Sequence, residues 1–206
     1  MRQPILLGLA VISSCLCQPV QALDASAIYR AVQERYRKIR TLSGDFTQTI
    51  CSHELGTCQV TRGQFWYSRP GRFRFEVNSP VAWVMVSDGE QTWQYWPDSN
   101  LVRRQPDGSN LFFDQVLGDS LGIWRATAAA RLGDTIALDL EPADSLALCG
   151  PVRLSVLGPP YWIVGLTLTD FLGNEISYRF YRVKTDVKLP KSLFVFSPPK
   201  EAGYDE

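Results

Sequence analysis

The spacing of apolar and polar positions predicts one N-terminal helix followed by a long run of strands. Across Asp24–Arg40 the apolar side chains recur every three or four residues, and Asp24 or Ser26 can cap the helix start. Further along, the period changes to two: Arg72–Val77 alternates phenylalanine and valine with charged residues, as in a strand with one buried face. The apolar positions of the predicted helix are Ile28, Val32, Tyr36 and Ile39.

Alternation and turn residues together predict a large antiparallel sheet. A helical insertion interrupts it: Leu111–Leu117 predicts a short helix, and Asp119–Ala129 is ambiguous, with a second helical piece as one interpretation. The fold class is mainly β with helices, a curved sheet of about ten strands that must curl or close, with the helices on its concave side. Strands are predicted at Asp45–Ile50, Gln59–Ser68, Arg72–Val77, Ala82–Ser87, Gln91–Trp96, Leu101–Gln105, Thr135–Leu140, Val152–Leu157, Trp162–Thr169, Glu175–Val183 and Leu193–Phe196.

The first 22 residues have the pattern of a signal peptide. Arg2 gives a basic start, Pro4–Ile12 is an apolar run too short to span a bilayer, and Val20-Gln21-Ala22 resembles a cleavage site. We therefore predict a signal peptide over 1–22 and a single domain over 23–206, exported to an oxidising compartment. An alternative begins at Cys15, because Ile12-Ser13-Ser14-Cys15 resembles a lipobox whose cysteine would carry a lipid anchor.

Two cysteines of the predicted mature chain are placed to form a disulfide. Cys51 and Cys58 enclose six residues, and both lead into strand-like sequence, so they can face each other across a hairpin. An oxidising compartment favours the bond over a free pair. A closed zinc site needs more ligands than two cysteines and one histidine, and redox catalysis needs closer spacing. Cys149 is left over and is predicted to be a buried thiol.

Composition and charge exclude several classes of function. The 206 residues hold 21 Lys and Arg against 21 Asp and Glu, and this zero net charge argues against a nucleic-acid partner. His53 is the one histidine, so histidine triads and multi-histidine metal sites are excluded and no cofactor is predicted. Hydrophobic residues make up 45% of the chain, which suffices for a core.

Catalysis is the weaker hypothesis for this sequence, and we predict that the protein is not an enzyme. Ser52 stands beside His53, but adjacent strand residues point to opposite faces. Asp139 and Glu141 share a strand face, as a glycosidase pair would, although a solvated strand face explains them better. The apolar face of the curled sheet is the stronger feature. It predicts either an ordinary core or a lipid-sized cavity, and the pattern alone does not separate the two.

Four segments, taken in order and spacing, give the sequence a family resemblance. Together they resemble the outer-membrane lipoprotein carrier (LolA) family over almost the whole predicted mature chain. The segments are Phe46-Thr47-Gln48; Gly63 to Phe75 with Phe65, Arg69-Pro70 and Phe73; Ser87-Asp88-Gly89 with Trp93, Tyr95 and Pro97; and Phe194, Phe196 and Pro198-Pro199.

The resemblance implies both a fold and a task. The fold is an unclosed antiparallel β-barrel, a half-barrel, with a helical lid over an apolar cavity. The task is to take lipoproteins by their acyl chains from an inner-membrane exporter, cross the periplasm as a monomer, and pass them to an outer-membrane receptor. The Cys51–Cys58 loop, the lipobox and Cys149-Gly150-Pro151 depart from the familiar carriers. They keep open a membrane-anchored, receptor-like protein or a carrier of another amphiphilic lipid.

The resemblance also implies roles for particular residues. Arg69 matches the arginine of the Arg-Pro pair that hydrogen-bonds the lid in relatives and favours closure without cargo. If the opposite face of each strand is the inward one, Trp66 and Trp96 replace some of the cavity residues. The expected lid residues are Leu111, Phe112, Val116 and Leu117. The expected cavity residues are Phe46, Phe65, Phe73, Phe75, Val84, Trp93 and Tyr95.

Overall fold

The helix α1 (Ala25–Lys38) opens the part of the chain that the structure, a computed structural model, describes: residues 23–105, 124–143, 150–170 and 172–205. Asp24 caps it, because its carboxylate accepts a hydrogen bond from the Ala27 amide at 3.0 Å. The predicted apolar stripe is buried and joins the main core. The helix predicted from the sequence is therefore confirmed.

Twelve strands of the described residues form one sheet. A first meander, β1 to β6, and a second, β7 to β11, are joined where β1 pairs antiparallel with β11. The strands are β1 (Thr41–Cys51), β2 (Cys58–Ser68), β3 (Arg72–Ser79), β4 (Trp83–Asp88), β5 (Thr92–Trp96), β6 (Leu101–Gln105), β7 (Trp124–Leu132), β8 (Thr135–Pro142), β9 (Val152–Leu157), β10 (Trp162–Thr169), β11 (Glu175–Thr185) and β12 (Gly203–Asp205).

The sheet is unclosed over the described residues. Its strand order runs from β12 beside β6 at one edge to β7 at the other, and these two edge strands do not pair. The expectation of an unclosed antiparallel sheet is confirmed, with one exception. The pairing of β12 with β6 is parallel, and it brings the C-terminal residues beside the first meander.

Two predictions about local structure are wrong. The helical interpretation of Asp119–Ala129 fails where the structure describes it, because β7 begins at Trp124 and its alanines pair with β8. Sheet pairing here overrides the helix propensity of alanine. Leu193–Phe196 is not a strand: a 3-10 turn covers Lys191–Phe194, and the chain then continues without strand pairing. The predicted signal peptide over 1–22, Cys15, the predicted helix Leu111–Leu117 and Cys149 lie outside the described residues.

The two faces of the sheet carry different side chains. The inner face is defined here as the side that bears Phe46, Phe75 and Leu138 and faces α1; the outer face is the other side. On the inner face α1 packs against β7 and β8 and contributes to a single buried cluster. The Tyr36 hydroxyl accepts a hydrogen bond from the Ile163 amide at 2.9 Å, where the pairing of β10 with β9 is irregular. Burial raises the pKa of Tyr36 to about 12.

The outer face has a smaller core of its own. Val86, Val102 and Phe194 are buried, and none of them belongs to the inner cluster. The residues 187–202, called here the C-terminal segment, cover the outer face, and their 3-10 turn contacts β3 and β4. One sheet therefore has apolar side chains on both faces over its first meander.

The disulfide between Cys51 and Cys58 is present, as predicted. The two residues are direct partners in the β1–β2 register, and their Cα atoms are 4.0 Å apart. This separation is shorter than the roughly 4.4–6.8 Å that is usual for disulfides. The neighbouring pair is hydrogen-bonded, Ser52 amide to Thr57 carbonyl, so Cys51 and Cys58 form the closer, non-hydrogen-bonded kind of pair.

Candidate functional site

Four of the predicted cavity residues form a joined aromatic surface on the inner face. The ring of Phe75 lies 5.5 Å from that of Phe46 and 6.1 Å from that of Phe65, between centroids. Phe73 is two residues before Phe75 on the same strand face, with centroids 5.9 Å apart, and Phe65 also meets Phe180 at 5.6 Å. All five are buried. The strand pattern brings them together because residues at spacing two share a face.

Two glycines allow this aromatic surface to form. Gly63 lies opposite Phe46, and a Cβ there would meet the Phe46 ring at 3.0 Å and the Glu76 carbonyl oxygen at 2.2 Å. Gly44 lies opposite Phe65, and its Cβ would meet that ring at 2.9 Å. Each ring therefore lies over a bare stretch of the neighbouring strand. The close approach of Phe46 therefore requires glycine at position 63, two residues before Phe65 on the same face of β2.

A polar pair lies within the same surface. The Gln48 side-chain amide donates to the Tyr178 hydroxyl at 2.5 Å, and the Tyr178 ring lies 6.2 Å from both Phe46 and Phe180. Burial raises the pKa of Tyr178 to about 12, so its hydroxyl stays neutral at physiological pH. This pair is not among the residues predicted from the sequence. Gln48 is two residues after Phe46, and this spacing indicates that its amide lies on the same face as the Phe46 ring.

The other three predicted cavity residues face the opposite way. Val84, Trp93 and Tyr95 lie on the outer face, where the rings of Trp93 and Tyr95 are 5.9 and 5.8 Å from that of Phe196. The seven candidates therefore do not share one surface. Trp66 is also on the outer face, in register with Arg74, whereas Trp96 lies on the inner face with Arg103 above its ring.

Two residues that the sequence analysis did not select extend the inner surface. Trp83 and Met85 alternate with Val84 and point inward, where they are partly buried and pack against the main cluster. Met85 is in register with Phe75 on one side and with Gln94 on the other. The alternation of β4 predicts that Trp83 and Met85 share one face and Val84 the other. Because both faces of this strand are apolar, the sequence does not indicate which of them points inward.

Arg69 binds the end of α1. Its Nε donates to the Ile39 carbonyl at 3.0 Å and its Nη2 to the Tyr36 carbonyl at 3.1 Å. The last carbonyls of a helix have no partner within the helix and carry partial negative charge, so a guanidinium suits them. The expected lid residues Leu111, Phe112, Val116 and Leu117 lie outside the described residues. The described contacts of Arg69 therefore connect the β2–β3 turn to α1.

The residues weighed for catalysis have other partners. The Ser52 hydroxyl accepts from the Leu55 amide at 3.2 Å, and the exposed His53 donates its own amide to Asn174. Asp139 pairs with Arg153 at 2.5 Å, and Glu141 pairs with Arg125 at 3.3 Å. No group of three metal-binding side chains occurs among the residues that the structure describes. Likewise, none of the described helices has the length and apolar content to cross a membrane.

The geometry defines an unclosed β-sheet with a buried aromatic inner face and one helix bound across it. The family described as outer membrane lipoprotein carrier protein LolA matches residues 37–197 of this chain. An outer-membrane lipoprotein carrier protein of Methylibium petroleiphilum is 32% identical, with 93% of this chain and 94% of that protein covered. One from Chromobacterium violaceum is 29% identical, with 95% and 93% covered. The chain belongs to the LolA family.

Solved structures support the same fold. A conserved protein of Thermus thermophilus matches with a TM-score of 0.56 at 13% identity, covering 88% of this chain and 99% of that one. MucB matches with a TM-score of 0.50 at 14% identity, covering 84% of this chain and 63% of that one. At these identities the two likenesses concern the fold alone.

Proposed function

We propose that the protein carries lipoproteins by enclosing their acyl chains against the inner face. The buried aromatic surface of Phe46, Phe65, Phe73 and Phe75 is the observation that carries the proposal. Each methylene removed from water contributes roughly 0.8 kcal/mol, so an exposed long acyl chain costs about 10 kcal/mol or more. A carrier must cover that chain, and this face has the chemistry to do so.

Loading requires the inner face to open. The four phenylalanines are buried, and α1 packs in the same cluster, so an acyl chain gains access only if a cover moves. Arg69 holds the C-terminal end of α1 through two carbonyls. We propose that this contact, together with the predicted lid, favours the closed state without cargo. Closure then supplies the driving force that expels the chain on delivery.

Membership of the lipoprotein carrier family assigns the protein to the periplasm. There it would receive its cargo from an inner-membrane exporter and deliver it to an outer-membrane receptor. The Methylibium and Chromobacterium relatives are named carriers, which favours this role over a membrane-anchored receptor-like protein. We propose that the protein acts as a monomer after cleavage of its signal peptide, and that it has neither an enzymatic activity nor a cofactor.

Neighbouring residues of β4 allow a matched test of the proposed face. Met85 points inward and Val84 outward, and both are partly buried. Titration with a fluorescent fatty-acid analogue should show several-fold weaker binding for Met85→Gln, because an amide replaces apolar surface that contacts the chain. Val84→Thr should bind as the wild type does. Equal affinities of all three proteins, or no binding at all, would contradict the assignment of the inner face.

A capture experiment identifies the cargo. The tagged protein is isolated from periplasm, and the bound lipids and lipoproteins are measured by mass spectrometry. Recovery of triacylated lipoproteins supports the proposal. Recovery of only free lipids of another class would instead support the alternative of a different amphiphilic cargo.

A further inference from the structure

Two exposed leucines lie in neighbouring loops at one end of the sheet. Leu55 is in the disulfide-closed loop between β1 and β2, and Leu172 is in the turn between β10 and β11. Their exposed fractions are 73% and 81%. The two loops are neighbours because Cys51 pairs with Glu175, and the His53 amide donates to the Asn174 side chain at 3.2 Å. Leu55 and Leu172 are called here the tip pair.

The backbone of both loops is hydrogen-bonded from within. The amides of Leu55 and Gly56 are bound by Ser52, at 3.2 and 3.0 Å. In the second loop, Asp170 binds the amides of Leu172, Gly173 and Asn174 at 2.9 to 3.0 Å. A loop that stays in water can leave such amides to the solvent. A loop that enters an apolar phase must satisfy its amides internally, and the amides named here are satisfied in this way.

A row of apolar side chains on the inner face lies next to the tip pair. Ile50 is in register with Ile176, and Ile176 with Leu168, all three on the side of the sheet that bears Phe46. This row is only partly buried and lies at the end of the strands next to the tip pair. On β1 the side chain of Gln48, bound to Tyr178, lies between Ile50 and Phe46, so the apolar row reaches the aromatic surface beside this polar pair.

We propose that the tip pair inserts shallowly into a lipid bilayer surface and marks the end of the sheet where acyl chains enter and leave. The inference rests on the proposed carrier function. Two exposed leucine side chains offer far less apolar area than a specific protein interface, which buries roughly 800 Å² per partner, whereas a lipid surface can accept them singly. The residues of both loops include Glu54 and Asp170 and no lysine or arginine, so the contact is apolar and needs no anionic lipid.

Vesicle flotation of the mature protein tests the inference. Neutral phosphatidylcholine vesicles should bind the wild type, and added anionic phosphatidylglycerol should not strengthen binding. Leu55→Ser combined with Leu172→Ser should weaken vesicle binding about tenfold or more, since two leucines lose their transfer to the apolar phase. Leu132→Ser is the matched control, because Leu132 is 62% exposed at the opposite end of the sheet, in the β7–β8 hairpin. It should bind vesicles as the wild type does.

The fatty-acid analogue separates this inference from the carrier function. The tip-pair variant should bind the analogue with wild-type affinity at equilibrium but exchange it with vesicles more slowly. Unchanged vesicle binding and exchange in that variant, with normal analogue binding, would overturn the inference and leave the carrier function in place. If the tip-pair variant transfers the analogue more slowly only when the acceptor vesicles contain a membrane protein, the tip pair contacts a protein partner. That result would also overturn the inference.

Discussion

The sheet has two covers, and they are attached in different ways. On the outer face the C-terminal segment contributes the buried Phe194 and the Phe196 ring, and the chain beyond it pairs with β6 as β12. Asn100 adds a hydrogen bond to the Glu201 carbonyl at 2.8 Å. On the inner face α1 contributes an apolar stripe, and its C-terminal end is held by the hydrogen bonds of Arg69 and Tyr36.

The difference indicates which face is built for cargo. The outer cover is bound by the packing of Phe194 and Phe196, and only the chain beyond it, β12, pairs with the sheet. The inner cover packs its apolar stripe into the main cluster, and its C-terminal end is held by a few polar contacts, which break at modest cost. We therefore expect substitutions on the outer face to change stability alone, and substitutions on the inner face to change binding as well as stability.

Phe194→Ala should give the largest effect, and the effect should be on stability. Phe194 is only 2% exposed, and truncating a buried phenylalanine costs about 3–5 kcal/mol of the free energy of unfolding. Urea denaturation measures this loss. The affinity of the folded fraction for the fatty-acid analogue should not change, because the side chain lies on the outer face.

Val195→Ala is the control for that prediction. Val195 is the next residue and is exposed, so its truncation should change the free energy of unfolding by less than about 0.5 kcal/mol. If Phe194→Ala weakened analogue binding more than it lowered stability, the proposed division between the two faces would be wrong.

The sequence predicted most of the strands because burial of one face imposes a period of two. It predicted the inner position of Phe73 and Phe75, since charged residues occupy the alternate places in β3. It did not assign β4 and β5 in the same way, since both of their faces are apolar. Val84, Trp93 and Tyr95 were grouped with the inner phenylalanines for that reason.

The outer cover itself was not predictable from local pattern. Phe194 and Phe196 have strand spacing, but Pro190 and Pro198 flank them, and their burial depends on residues from β4 and β5 far away in the sequence. Similarly, the alanines of β7 have no strong preference for strand, and only pairing with β8 determines their conformation. The position of Arg69 in its motif indicated its importance, whereas its two carbonyl partners needed the fold.

Removing the disulfide should lower stability by a smaller amount. Replacing both Cys51 and Cys58 by serine releases an eight-residue ring, which costs about 2.5 kcal/mol by the chain-entropy relation. The loss should appear in urea denaturation. It should leave analogue affinity unchanged, because neither cysteine lies in the aromatic surface.

Thiol labelling provides the direct check of this bond. In the denatured, non-reduced mature chain, neither Cys51 nor Cys58 should react with a maleimide, and both should react after reduction. Labelling of both before reduction would show that the bond is absent in the protein as it is made.

Arg69→Leu should change binding as well as stability. Loss of two charge-assisted hydrogen bonds removes about 1.5–3 kcal/mol from the closed state, so opening becomes easier. The affinity for the fatty-acid analogue should rise by about tenfold or more, to at most about 150-fold, and transfer to acceptor membranes should fall because expulsion loses its driving force.

A second arginine at the same turn serves as the control. Arg72 lies near the Phe194 ring, 5.9 Å from its centroid, and donates to Ser68 and to the Arg69 carbonyl. Arg72→Leu removes an equal charge from the outer side, so it should leave both affinity and transfer unchanged. Equal behaviour of the two variants would exclude a specific role of Arg69 in closure.

The smallest expected effect concerns an ion pair on the outer surface. Arg182 and Gln64 both bind the Asp45 carboxylate, and the hydrogen bond from Arg182 holds the pKa of Asp45 below its usual value. The native state therefore binds fewer protons than the unfolded chain, whose aspartate pKa is about 3.9. The stabilisation is present above that pH and is lost as the pH falls through the lower native pKa. Because Arg182 is largely exposed, solvent screens the pair and its contribution to stability is small. Asp45→Asn should lower the free energy of unfolding by that small amount at about pH 7, and the difference from wild type should vanish near pH 3.

Urea titrations at both pH values measure this difference in the free energy of unfolding. A difference that persists in acid would mean that the amide disturbs packing rather than removing a charge.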